Sequence, residues 1–388
     1  MSSDSKTRNM VRRSGEATVI EPFAPLLSGD PDQRRLVENY HSVIRERAIA
    51  HPVPYHFQRE LGKGRQGVVF LAARQGARGC VTLHAVKLHD PGIYSSAERY
   101  WTDIGRLASQ VSKLQPVHSD NLVTRETYEE TKGVGFMQMA VIDGIDLQYL
   151  LSATHLGIAS SQCSDEEWRH FMSTLFRLED GVFMLQPGVA LYILRKVLLG
   201  LMVLHEAGYL HADIKPSNIM IDRMGSVKLV DFGRAVEIGE RISILLGSPV
   251  YMAPETHRLE PGMVQSDLFS TGLVGLEMLR GESLRDCARM TDEALLSFKL
   301  GLMDRLEESL PAHIRQSKRL VKVLKRFLHP VAANRYASAR EAEESYYRLR
   351  GIYREMGLDA DVEYDRELLL YLEKITDPQT GHLNPRLE

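Results

Sequence analysis

His211-Ala-Asp-Ile-Lys-Pro-Ser-Asn218 presents Asp213, Lys215 and Asn218 from a short loop after a long apolar segment, and Asp231-Phe-Gly233 begins 13 residues later. An aspartate beside a hydroxyl can orient it and accept its proton. A nearby lysine can neutralise charge on a phosphoryl group in transit, and Asn218 and Asp231 can hold magnesium through oxygen ligands. These are the parts that phosphoryl transfer requires, because its loose transition state leaves a protein mainly positioning and charge neutralisation to supply. No covalent nucleophile is needed, and none is apparent.

Two upstream segments suit the other end of such a reaction. Leu61-Gly-Lys-Gly-Arg-Gln-Gly-Val-Val69 places Gly62, Gly64 and Gly67 between two predicted strands, so that a hairpin backbone can approach polyphosphate without side-chain obstruction. A strand follows the motif where a dinucleotide fold would need a helix. Ala85-Val86-Lys87 ends a later strand, from which Lys87 can reach phosphates from the other side. Each segment alone is a weak signal, since glycine hairpins and strand lysines are common.

The elements that must position these groups can be read from periodicity. Strand patterns cover Gly67 to Ala73, Val81 to Leu88, Leu122 to Tyr128 and Val134 to Val141, with one helix from Ala97 to Leu114 among them. Beyond residue 145 the period is mostly helical, notably at Val189 to His205, Asp267 to Leu279 and Leu320 to Leu328. A small β-rich unit thus precedes a larger helical one. Residues 1–29 are polar and read as a disordered tail. Residues 30–54 open with Asp30-Pro31, a helix start, with Leu36, Val37, Tyr40, Val43 and Ile44 on one face.

Composition narrows the class. The 388 residues are 44% hydrophobic and 26% charged with a net charge of -3, which suits a soluble globular chain and disfavours nucleic acid or anionic membrane as a partner. The 3 cysteines, Cys80, Cys163 and Cys287, have no metal-binding or redox spacing and fit a reducing compartment. With no signal-peptide pattern and no run of about 18 apolar residues, the expected location is cytoplasmic.

The ordered set of glycine loop, AVK, HxDxKxxN, DFG and Ala253-Pro-Glu255 resembles the eukaryotic-type serine/threonine protein kinase family over roughly Tyr55 to Leu349. That resemblance implies an α+β, two-lobed fold with a β-rich small lobe (55–139), a hinge (140–142) and a mainly helical large lobe (143–350), followed by a helical tail (351–388). It implies ATP and magnesium in the cleft. Leu61, Val69 and Ala85 would lie above the adenine and Met220 below it, Met139 would be the gatekeeper, and the Ala140 carbonyl and Ile142 amide would meet its edge. Gly247 to Glu255 looks like the peptide-positioning segment, Asp267 like the brace of the catalytic loop, and Arg335 like the buried partner of Glu255. Kinases of small molecules usually lack that segment, so a protein substrate is implied. Lys215 and Ser248 imply serine or threonine as acceptor.

The sequence departs from the family in three places. Ala212 replaces the arginine that ordinarily reads an activation-loop phosphate, so activity independent of such a phosphate, for instance on Ser243, is expected. Leu107 stands where a helix glutamate should pair with Lys87. Asp103, Glu98 or no pair at all stay open, and Ser95 to Glu98 has capping-box spacing. Residues 152–187 look like an insertion, in which Ser164 caps a helix with Trp168, Phe171, Met172, Leu175 and Phe176 in its stripe. The stripe reads as core or as a docking surface. Asp359 to Ile375 is a further expected helix, and the basic run at Arg315 to Arg326 reads as a solvated face. The rival reading is a kinase-fold scaffold with little turnover.

Overall fold

The computed structural model describes residues 30–50, 54–231, 235–240, 249–344, 352, 362–378, 381 and 383. A six-stranded antiparallel sheet comes first. Its strands are β1 (Ala48–Ile49), β2 (Tyr55–Gly64), β3 (Gly67–Gln75), β4 (Val81–His89), β5 (Arg125–Thr131) and β6 (Val134–Met139), in the order β1-β2-β3-β4-β6-β5. The expected strand at Leu122 starts later than its apolar run suggests. Leu122 instead bridges to Leu229 in the other lobe, so its burial comes from joining the lobes.

The helix Ala97–Leu114 has the predicted bounds, but its N-cap is Ser96, whose side chain accepts from the Arg99 amide, so the expected Ser95 cap is one residue early. Glu98 is exposed in its first turn. The N-terminal helix Pro31–Glu46 is capped by Asp30 and buries Leu36, Tyr40 and Val43. Tyr40 and Val43 join the sheet's core with Phe57, Phe70 and Phe136, whereas Leu36 packs with Tyr100, Ile104 and Leu107 of the helix Ala97–Leu114. Gln33 donates to the carbonyls of Pro91 and Tyr94 at 2.5 and 3.1 Å, which ties this extension to the loop leading into that helix.

The larger lobe is built around the helix Pro187–Glu206. An 18-residue window of it has a mean hydropathy of 1.8, which would suit a membrane span, but most of that window is buried in the lobe, where the helix packs against Val264–Arg280 and Ala339–Glu344. The basic run on Lys318–Phe327 is partly paired: Lys325 with Glu307, and Arg326 with Glu341, each at 2.6 Å.

Residues 152–187 form two short helices, Leu156–Gln162 and Asp165–Thr174, and a hairpin of Phe176–Glu179 with Val182–Leu185 that the helical stripe did not suggest. Ser164 and Glu167 make a reciprocal capping box. Phe171, Leu175 and Phe176 are buried, and what covers them includes the chain's own C-terminal helix, Tyr364–Lys374. Tyr371 of that helix packs edge-on against Phe171 and Phe176 at 5.3 and 4.7 Å between ring centres, and its hydroxyl meets the fully buried His155. Burial pushes the His155 imidazole down to about 4, so it sits there neutral. Gly188, at the start of the central helix, is needed for the close approach, since a Cβ there would lie 1.8 Å from the Tyr364 hydroxyl. Of the expected Asp359 to Ile375 helix, residues 359–361 lie outside the described residues.

Candidate active site

The cleft between the sheet and the helical lobe collects the residues singled out by spacing. β2 and β3 turn at Gly64 to Gly67, and Gly67 lies opposite His89 of β4. Its φ of +143° and a Cβ position 1.8 Å from the Leu88 carbonyl make this a place for glycine only. Gly62 and Gly64 have open space around them. Leu61, Val69 and Ile142 are partly buried against the same apolar cluster as Ala85 and Met139, and Ala85 is the cross-strand partner of Met139. Met220 lies half-buried on the strand Ile219–Asp222, opposite Asp146. The Ala140 amide donates to the Thr124 carbonyl at 2.9 Å, which fixes the start of the connecting segment 140–143.

Lys87 is buried, and its ammonium contacts Asp231 and, at 3.2 Å, the Gln66 side-chain oxygen. Burial alone would raise the Asp231 carboxyl. The Lys87 charge and hydrogen bond, with help from Lys215 and His211, hold it well below the usual range instead. His89, on the same face two residues later, is pushed down to about 3 by burial and then by Lys87, so it adds no competing positive charge. Among the described residues no carboxylate of the helix Ala97–Leu114 reaches Lys87. Asp103 accepts from the Tyr94 hydroxyl at 2.5 Å, Glu98 faces solvent, and Leu107 is buried in apolar company. Of the readings left open, the absence of a helix pair is the one the structure displays.

That helix is nonetheless joined to the segment after Asp231. Gln110 donates to the Ala235 carbonyl, Arg106 meets Glu240 at 2.9 Å, and Lys113 meets Glu237 at 2.7 Å. Nothing in the local pattern marks these residues or Gln66. Polar side chains on a helix face and at a turn are ordinary, and only the fold brings them to their partners.

Opposite Lys87, the loop 211–218 is held from below. Asp267, buried in the helix Val264–Arg280, accepts from the His211 amide at 2.8 Å, the Ala212 amide at 2.9 Å and the His205 ring at 2.9 Å. Both successive amides can reach one carboxylate because Ala212 takes a φ of +61°, a conformation costing an alanine roughly 1–2 kcal/mol. Asp231 shares that φ of +61°. His211 in turn bonds to the Val230 carbonyl at 3.0 Å, linking the loop to the segment that carries Asp231.

Asp213 accepts from Lys215 at 2.9 Å and from the Asn218 amide nitrogen at 3.0 Å, and that nitrogen also reaches the Asp213 carbonyl at 2.8 Å. With the nitrogen of Asn218 so committed, its oxygen is left to accept. Asn218 Oδ1 and Asp231 Oδ2 are hard oxygen donors of the kind magnesium takes, so the residues fit such an ion. Phe232, Gly233, Ser243, Gly247 and Ser248 lie outside the described residues.

Glu255 meets Arg335 through two bonds of 2.6 and 3.0 Å, with Ser266 on one carboxylate oxygen at 2.8 Å. Burial would raise the Glu255 carboxyl, but Arg335 outweighs it and holds the group below its ordinary value.

The chain is similar to known proteins over most of its length. The protein kinase domain matches residues 55–347. A probable serine/threonine-protein kinase PknB of Corynebacterium glutamicum is 39% identical over 110 residues, 27% of this chain and 17% of that protein. The serine/threonine-protein kinase SKM1 of Saccharomyces cerevisiae is 28% identical over 269 residues, 66% of this chain and 38% of the relative. The cytokinesis protein sepH of Aspergillus niger is 29% identical over 287 residues, 70% of this chain and 19% of its own length. The chain therefore matches well under half the length of each of these relatives.

Proposed function

The chain belongs to the protein kinase family, and from that premise we propose that it is an active kinase transferring the γ-phosphoryl group of ATP to serine or threonine hydroxyls of proteins. The observation that carries this reading is the convergence of Lys215 and Asn218 on Asp213, across the cleft from the Lys87 and Asp231 pair. Asp213 orients the acceptor hydroxyl and receives its proton. Lys215, whose ammonium already lies against that carboxylate, compensates charge on the group being transferred. Lys87 holds the nonreacting phosphates, and the glycine loop lets backbone amides approach them. Magnesium, when bound by Asn218 and Asp231, neutralises phosphate oxygens. Leu61, Val69, Ala85, Met139, Ala140, Ile142 and Met220 receive the adenine, and the segment Gly247 to Glu255 receives the protein substrate.

A nearly inactive scaffold is the second reading, favoured by Leu107 in place of a helix carboxylate. Transfer of labelled γ-phosphate from ATP to a generic protein, by wild type and by a folded Asp213→Asn variant, separates the two. Transfer lost in the variant supports the enzyme. Nucleotide binding by a wild type that transfers nothing supports the scaffold.

A further inference from the structure

Lys299, on the helix Asp292–Leu300, is a fully buried lysine outside the site, at 0% exposure. Its ammonium donates to the Pro249 carbonyl and to the Met252 carbonyl at 2.6 Å, and lies 2.8 Å from His257 Nε2. All three partners are neutral groups in one stretch of chain, 249–257, and His257 Nε2 also lies 3.0 Å from the Pro249 carbonyl. Among the described residues no carboxylate pairs with it. Burial pushes the Lys299 amine well below the ordinary lysine range, and its hydrogen bonds satisfy carbonyls of the turn.

What it holds is the turn that leads into Ala253-Pro-Glu255. Residues 249–253 make no strand ladder, and side chains from two helices fix them instead. Ser270 donates to the Tyr251 carbonyl at 2.7 Å, and the Tyr251 hydroxyl donates to Glu277 at 2.6 Å. Lys299 takes the carbonyls on either side of Tyr251. Ser270 lies three residues beyond Asp267 on the same helix, about 4.5 Å along its axis. The turn is thus anchored beside the carboxylate that anchors the catalytic loop.

We propose that Lys299 is a positioning residue for the protein substrate: it clamps the Pro249 and Met252 carbonyls so that the turn 249–252 forms a fixed docking ledge next to Asp213. The inference rests on the kinase reading above and adds to it how the substrate platform is shaped. The clamp acts on the substrate protein and not on nucleotide, and that asymmetry is its signature.

The test measures KM for a generic protein substrate and for ATP, ATP hydrolysis without acceptor, and thermal melting, for wild type, Lys299→Met and Lys299→Arg. The expected result is a protein KM raised about tenfold or more in Lys299→Met, with ATP KM and hydrolysis within twofold, while the melting temperature falls because two carbonyls lose their donor. Lys299→Arg should recover part of the loss. An unchanged protein KM overturns the proposal, as does a parallel decline of every parameter with the melting temperature, which would make the lysine merely structural. Should Lys299→Met not fold, Lys299→Gln, which keeps two donors, provides the same readout. A wild type that transfers no phosphate overturns the kinase reading and the clamp with it, whereas an active wild type with an indifferent variant overturns the clamp alone.

Discussion

On the large-lobe side of the cleft, Asp267 gathers two backbone amides and a histidine ring onto one carboxylate with 2% side-chain exposure. On the small-lobe side, Lys87 is held by a neutral amide at the tip of the glycine loop and by Asp231, itself a candidate metal ligand. In the first arrangement the amides and the ring that meet the carboxylate are all protein groups. The second gives up half its contacts if Asp231 turns toward a cation. The site thus joins a half braced entirely by protein groups, which sets where Asp213 lies, to a half whose lysine shares a candidate metal ligand.

Removing the braced half should have the largest effect. Asp267→Ala would leave buried donors unpaired at about 1–3 kcal/mol each, so both melting temperature and transfer rate should fall, the latter by about 10²-fold or more. Retained activity at normal stability would erase the distinction between the halves. Next comes the brace behind the substrate turn. Arg335→Met should cost about 3–5 kcal/mol in chemical denaturation, because it strands the buried Glu255. The same pair predicts a pH dependence. Glu255 is held below its unfolded value near 4.3, so its contribution is present above that pH and is lost as acid carries the solution down through the folded value. Glu255→Gln should flatten the acid limb of the stability curve, and an identical limb would count against the pair.

Lys87→Met should reduce transfer by about 10²-fold and also lower the melting temperature, since it removes the charge that pairs with Asp231. The smallest effect sharpens the comparison most. Gln66→Ala should lower kcat/KM for ATP by about tenfold, the scale of one hydrogen bond to a charged group, without changing stability. A null result would mean that Asp231 alone suffices to place Lys87.

The two halves also differed in how readily the sequence revealed them. Asp213, Lys215, Asn218 and Asp267 stand at short, fixed separations or on strongly periodic helices, so their type and spacing announce them. Lys87 was equally plain, but its partner was not. On the helix Ala97–Leu114 the sequence offers Glu98 and Asp103 as partners, and neither meets Lys87. Gln66 sits inside the glycine motif, where the glycines draw all the attention and a neutral amide carries no signature. Lys299 contacts residues up to 50 positions away, and its burial follows from tertiary packing that no local period encodes. The stripe in the insertion was legible as apolar, yet its cover comes from a helix about 200 residues further along.

That cover bears on what counts as one piece of protein. The family resemblance runs from 55 to 347, but the helices Pro31–Glu46 and Tyr364–Lys374 lie outside it and complete the cores on either side. The span shared with the family is therefore shorter than the part of the chain that packs together. A fragment cut at the limits of similarity would bare Phe171, Phe176 and His155 at one end and Tyr55 and Phe57 at the other. It should clump or melt early while keeping every residue that its reaction needs, and such a fragment would resemble a dead enzyme for reasons unrelated to its chemistry.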